Sequence, residues 1–219
     1  MSFVMYNWVS ILIPFFIGLF RYKDLDKSLR LFFYFVVYGT INEIAVRLFI
    51  YMGGNNTMLS SHLYVMLEFF MLGLFYSEVL KGIIRKRIII AIIVLFELYC
   101  VINVLFLQSV HLYPSIPLSV SKIFFVGFSL LFLYKVMTEA IVQDLWKEPL
   151  IYINFSVLIY YSGNLFYALL FNIILEHSRE LSKEVGYYYT VLNTIFYILI
   201  AIGFWKAGRK PATVEKKLL

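Results

Sequence analysis

Residues 38–68 read YGTINEIAVRLFIYMGGNNTMLSSHLYVMLE. Two hydrophobic segments meet here at the uncharged turn GGNNT, and between them they carry Asn42, Glu43, Arg47 and Glu68. Each segment is long enough to belong to a bilayer-spanning helix, which needs about 20 mostly apolar residues. Ionisable groups at such positions are costly in hydrocarbon and mark a functional hypothesis by default. The stretch therefore points to an all-α membrane bundle with a polar interior.

Composition extends that reading to the whole chain. Its 219 residues are 62% hydrophobic, 20% aromatic and only 15% charged, against about 25% charged in soluble domains. The mean hydropathy is +0.85. The net charge of +6 sits in short loops, so it does not indicate nucleic-acid binding. The single cysteine, Cys100, rules out an intramolecular disulfide. The first apolar run has neither a basic leader nor a small-residue cleavage site, so no cleavable signal peptide is expected.

Seven apolar runs follow one another, at about residues 3–20, 31–52, 62–80, 88–107, 118–137, 150–175 and 187–205. They predict one domain of seven transmembrane helices, with a basic tail over 206–219. Basic residues concentrate on alternate loops: Arg21, Lys23, Lys27 and Arg30 in the first, and Lys81, Arg85, Lys86 and Arg87 in the third. Lys135 and Lys147 flank the fifth, and the tail is basic as well. Basic loops stay cytoplasmic, so the N-terminus is expected outside and the C-terminus inside. Trp8, Trp146 and Trp205 fall at the expected interfaces.

A 3+1+3 parallel repeat is suggested by matched positions. Tyr38 and Asn42 in the second expected helix parallel Tyr160 and Asn164 in the sixth; Tyr64 and Glu68 in the third parallel Tyr189 and Asn193 in the seventh. Chance is the competing explanation, because 18 tyrosines make such matches easy. The FFIG and FFVG strings of the first and fifth helices lie at different depths and are discounted.

The polar residues have structural and functional readings. Glu43 and Arg47 are four apart and share a helix face, which favours an internal ion pair over a binding site. Glu68 shares a face with Tyr64 and has no basic residue at helical spacing. Its partner must come from another helix, or it is protonated. Glu97 is comparable, with Tyr99 nearby. Lys122 lies a turn inside the outer end of the fifth helix, where snorkelling to the interface explains it most simply; the alternative is a partner for Glu68 or Glu97. Asn103, Asn164 and Asn193 read as interhelical hydrogen-bonding residues.

Depth separates these groups from the rest. Arg47, Glu68, Asn103, Lys122 and Asn193 fall in the outer half, and Glu43, Glu97 and Asn164 fall near the middle. The cytoplasmic half is mostly Leu, Ile, Val and Phe. The pattern suggests a pocket open to the outside and closed below.

Other chemistries lack their signatures. His62, His111 and His177 come from separate loops without metal-ligand spacing, and read as solvated. The seventh helix has no mid-membrane lysine for a retinal Schiff base. No proline–glutamine pair, HExxH or HxxxH motif, or glycine-rich phosphate loop is present. No cofactor, metal or catalytic residue is expected.

The strings INEI (41–44), LYVMLEFFMLGLFY (63–76) and LIYYSGNLF (158–166) resemble a family of short seven-helix bacterial membrane proteins. The resemblance implies a bacterial inner-membrane location and lends no activity or site residues. The leading functional expectation is a receptor or sensor-like module. It binds a small, amphiphilic or lipid ligand through Glu43, Arg47, Tyr64, Glu68, Glu97, Lys122, Asn164 and Asn193. Membrane lipid and a cytoplasmic signalling protein are the other expected partners. The runner-up is a transporter of a small solute or protons. Third is an intramembrane enzyme using Glu68 or Glu97.

Overall fold

The structure is a computed structural model that describes residues 9–139, 144–177 and 179–207, with side chains described outside 166–185. The beginning of the first expected helix with Trp8, the tail beyond 207, and the side chains of Glu176, His177, Arg179 and Lys183 lie outside the described residues.

Among the described residues there are seven α-helices and no strand: α1 (Val9–Phe20), α2 (Lys27–Tyr51), α3 (Met58–Val79), α4 (Lys86–Ile102), α5 (Ser115–Glu139), α6 (Pro149–His177) and α7 (Arg179–Lys206). Five segments among the described residues are long and apolar enough to cross a membrane. These mark the chain as a membrane protein.

Local chemistry sets the ends. Asp26 caps α2, its Oδ1 accepting the Leu29 N–H at 2.8 Å, so α2 starts four residues before its apolar run. Gly53 closes α2 with φ of 90°, and Gly82 follows α3 with φ of 100°. That left-handed region suits glycine. Pro149 opens α6, where its missing N–H costs no helical bond. Asn103–Leu107 continue α4 as a π-helix. The expected loop over 176–186 is corrected to helix on either side of residue 178. Its Arg, Glu, Leu and Lys residues are good helix formers, and a helix need not stop where hydrocarbon does.

Six helices form a ring in the order α1, α2, α3, α5, α6, α7, with α7 returning to α1; α4 packs outside it against α3. Aromatic side chains fill the ring. Phe32 meets Phe75 edge-on with centroids 5.0 Å apart, Phe35 reaches Phe196 at 6.4 Å, and Phe69 stacks on Phe96 of α4 at 3.8 Å. Gly18 lets α1 approach closely, since a Cβ there would lie 2.4 Å from the Phe33 ring.

The basic end is tied by charge. Glu78 of α3 pairs with Lys27 of α2 at 3.2 Å and Lys86 of α4 at 2.9 Å, and also with Lys81. Lys135 of α5 donates to the carbonyls of Val79 (3.0 Å) and Lys81 at the C-terminus of α3. A cation there satisfies orphan carbonyls and opposes the helix dipole. Arg21 lies over the Trp205 ring at 5.3 Å.

A buried polar knot sits in the half nearer this end. Tyr76 Oη donates to Asn154 Oδ1 at 3.1 Å, and Asn154 Nδ2 donates to the Ser129 carbonyl at 3.1 Å. Ser129 Oγ returns a bond to the Asn154 carbonyl at 3.2 Å. Side chains of α3, α5 and α6 are thus joined with their polar groups satisfied, as a low-dielectric interior requires.

Candidate ligand cavity

The polar residues of α2 and α3 face inward because these helices close one side of the ring. α2 brings Asn42, Glu43 and Val46 to a cavity of about 240 Å³, and α3 brings Ser60, Ser61, Tyr64 and Glu68. α5 supplies Leu118 and Lys122, α6 supplies Tyr160, and α7 supplies Tyr189, Asn193 and Tyr197. Thr57 and Tyr113 line it from the connecting segments opposite the basic end. The volume equals that of about eight liquid waters at ~30 Å³ each. Glu68 lies roughly 15 Å along α3 from its first residue at ~1.5 Å per residue, so the cavity reaches deep into the bundle.

Glu68 is 3% exposed. Its Oε1 accepts a hydrogen bond from Tyr161 Oη of α6 at 2.8 Å, and the Tyr64 hydroxyl also acts on the carboxylate. The partner that α3 lacks is thus supplied across the ring. Below Glu68 the interior closes. Phe69 packs against Phe125 at 5.3 Å, Phe125 against Tyr161 at 4.7 Å, and Tyr161 against Phe196 at 6.1 Å.

Lys122 departs from the sequence expectation. It is 6% exposed and lines the cavity rather than snorkelling to an interface. Ser121, Lys122, Phe125 and Ser129 are all buried, so this face of α5 points inward and offers the lysine stem no route to the surface. Glu68 is the charge that acts on it, yet Lys122 forms no ion pair within 4.0 Å and no hydrogen bond among the described residues.

Glu43 and Arg47 form the expected ion pair within α2, each side chain 38% exposed. The pair stands at the cavity rim: Glu43 lines the cavity, while Arg47 is attached through Glu43. The other expected site residues divide. Tyr64, Glu68, Lys122 and Asn193 line the cavity with Glu43; Glu97 and Asn164 do not. Glu97 is half-buried on α4, with Oε1 unpartnered among the described residues. Asn164 is buried and donates to the Tyr160 carbonyl of its own helix at 2.9 Å. The amide of Asn103 finds no hydrogen bond of good geometry among the described residues. Among the described residues, neither of these two asparagines joins helices as expected.

His62 is also corrected. It is buried, with Nε2 3.1 Å from the Leu112 carbonyl, because it begins the inward face of α3. No group of three metal-ligating side chains occurs among the described residues.

The tyrosines carry much of the remaining lining. Tyr160 and Tyr189 share a hydrogen bond at 2.9 Å, and Tyr38 stacks on Tyr64 at 5.7 Å. On the outer face of α2 and α3 a shallower apolar groove includes Ile41, Ala45, Phe49, Leu63 and Leu67. Asn42, Val46, Thr57 and Ser60 line both the groove and the cavity. The bond from Ser60 Oγ to Asn42 Oδ1, at 2.9 Å, forms part of the wall between them.

Comparison with family models, with curated proteins and with solved structures gives no match to the chain.

Proposed function

We propose that the protein is a seven-span receptor or sensor-like module of the bacterial inner membrane, taking a small ligand into the cavity from outside. One observation carries this reading. Two buried ionisable side chains of opposite type, the carboxyl of Glu68 and the amine of Lys122, line a polar cavity with no direct hydrogen bond or ion pair between them. Charges inside a membrane protein ordinarily pair with one another or mark a substrate pathway, and a purely structural bundle has no need to keep them apart. The apolar groove beside the cavity supports an amphiphilic variant of the ligand, with a polar end inside and an apolar end against lipid. The N-terminus is outside and the C-terminus cytoplasmic in this reading, and the basic face meets anionic lipid or a signalling partner.

A second reading, as a transporter, is favoured by the repeat. If the repeat holds, the ring divides into α1–α3 and α5–α7, with α4 outside. The residues matched between them also meet, though differently: Tyr38 stacks on Tyr64 at 5.7 Å, and Tyr160 shares a hydrogen bond with Tyr189 at 2.9 Å. Transporter substrate sites lie where such halves meet. The aromatic floor favours the receptor.

The experiment is native mass spectrometry of the full chain released from lipid nanodiscs, with co-purifying molecules identified. A cysteine-accessibility scan of Ser60, Tyr64 and Asn193 accompanies it. A bound small molecule, and labelling at these positions by water-soluble reagents from one side, is the expected result. If the positions react only with lipid-phase reagents and nothing binds, the cavity is not a ligand site.

A further inference from the structure

The charges around the cavity restrict what it can hold. This argument rests on the reading of the cavity as a ligand site and names the ligand's class. Lys122 enters from α5 and Glu68 from α3, and each is more than nine-tenths buried. Glu68 already accepts from Tyr161 at 2.8 Å. Lys122 has neither a hydrogen bond nor an ion pair among the described residues, so its donors are available to an occupant.

Consider what each charge type would meet. A simple cation drawn to Glu68 shares the space with the Lys122 ammonium. A simple anion drawn to Lys122 shares it with Glu68. Like charges brought together disfavour the wrong partner. A neutral molecule leaves the lysine donors without a charged acceptor. Only a molecule with both signs, held apart, meets an opposite charge at each end.

We infer that the cavity takes a small dipolar molecule, with its anionic group on Lys122 and its cationic group on Glu68. Amino acids and betaines belong to this class. The Tyr64 ring stands beside the cationic end, where a π face adds attraction. Asn42 and Asn193 also line the cavity. The volume of about 240 Å³ restricts the occupant to the small members of the class, since drug-sized pockets begin at about 300 Å³.

The test uses the full chain in nanodiscs. Probes are the twenty amino acids and glycine betaine, and for each amino acid its decarboxylated amine and deaminated acid. Thermal stability and isothermal calorimetry are the readouts. At least one dipolar probe is expected to bind, with its amine and acid counterparts at least tenfold weaker. In Lys122→Met the discrimination against the amine is expected to shrink, and in Glu68→Gln that against the acid. Lys122→Arg, which retains the charge, covers the case in which Lys122→Met does not fold; it should keep the preference for the dipolar probe.

A singly charged or neutral molecule binding as tightly as every dipolar probe overturns the inference and leaves the ligand-site reading standing. Folded Lys122→Met and Glu68→Gln proteins with unchanged discrimination overturn it in the same way. If no probe binds while native mass spectrometry finds a bound molecule outside the dipolar class, the inference again falls alone. If nothing binds and the cavity positions resist water-soluble reagents, both readings fall.

Discussion

The Tyr161 hydroxyl of α6 donates to Glu68 of α3 at 2.8 Å, and so joins two helices that are not neighbours in the ring, at the bottom of the cavity. Hydrogen bonds to a charged group contribute about 1.5–3 kcal/mol. Tyr161→Phe is therefore expected to lower stability by about that amount in detergent melting. Glu68→Gln should fold, because its amide oxygen can still accept from Tyr161. In a cycle with Glu68→Leu, which removes the acceptor, the two losses should not add. Additive losses would show that the bond contributes nothing to stability.

Asn154 is expected to be the more sensitive position. Asn154→Leu removes partners from both Tyr76 and the Ser129 carbonyl, and each buried group left unsatisfied costs about 1–3 kcal/mol. Adding Tyr76→Phe should recover part of the loss, since it removes one orphan. Equal melting temperatures for Asn154→Leu and wild type would refute the role assigned to this knot.

The Glu43–Arg47 pair should matter less than a buried ion pair. Each side chain is 38% exposed, so removing one partner does not leave the other fully buried. Exposed pairs at this helical spacing couple by about 0.3–0.5 kcal/mol. A double-mutant cycle on Glu43→Gln and Arg47→Gln should return a value in that range, and a coupling several times larger would place the pair in a drier setting.

Gly18→Ala should destabilise the contact of α1 with α2, because the added methyl meets the Phe33 ring at 2.4 Å. Overpacking of this kind costs about 1–3 kcal/mol. Phe33→Leu in the same chain should relieve it. If alanine at position 18 is neutral in thermal melts, α1 is not seated as described.

A reporter fused after Leu219 should read cytoplasmic, and one inserted at Asn55 should read external. Both on one side would remove the loop-charge argument and the outward direction of the cavity with it.

The elements were legible because a bilayer imposes its own length on apolar runs. The Glu43–Arg47 contact was legible because both residues share a helix, where spacing determines neighbours. Contacts across the ring left no such trace. Glu68 finds Tyr161, and Tyr76 finds Asn154, through helix packing that no local period encodes. Lys122 was misread for the same reason: its depth was visible, but the direction of its helix face was not. Asn154 and Tyr161 carried no signal that set them apart from other polar residues in apolar helices.

The closed aromatic floor also shapes the membrane's electric field. Polar walls hold water, and water-filled space supports little potential gradient, so the voltage falls mainly across the dry layer beneath Glu68. Lys122 and Glu68 then sit at nearly the potential of the compartment their cavity faces. Moving one charge through the full field involves about 2.3 kcal/mol per 100 mV. A dipolar occupant with no net charge moves almost none, so its affinity stays the same whether the membrane is energised or collapsed. Only a displacement of the two side chains against the floor would register the voltage.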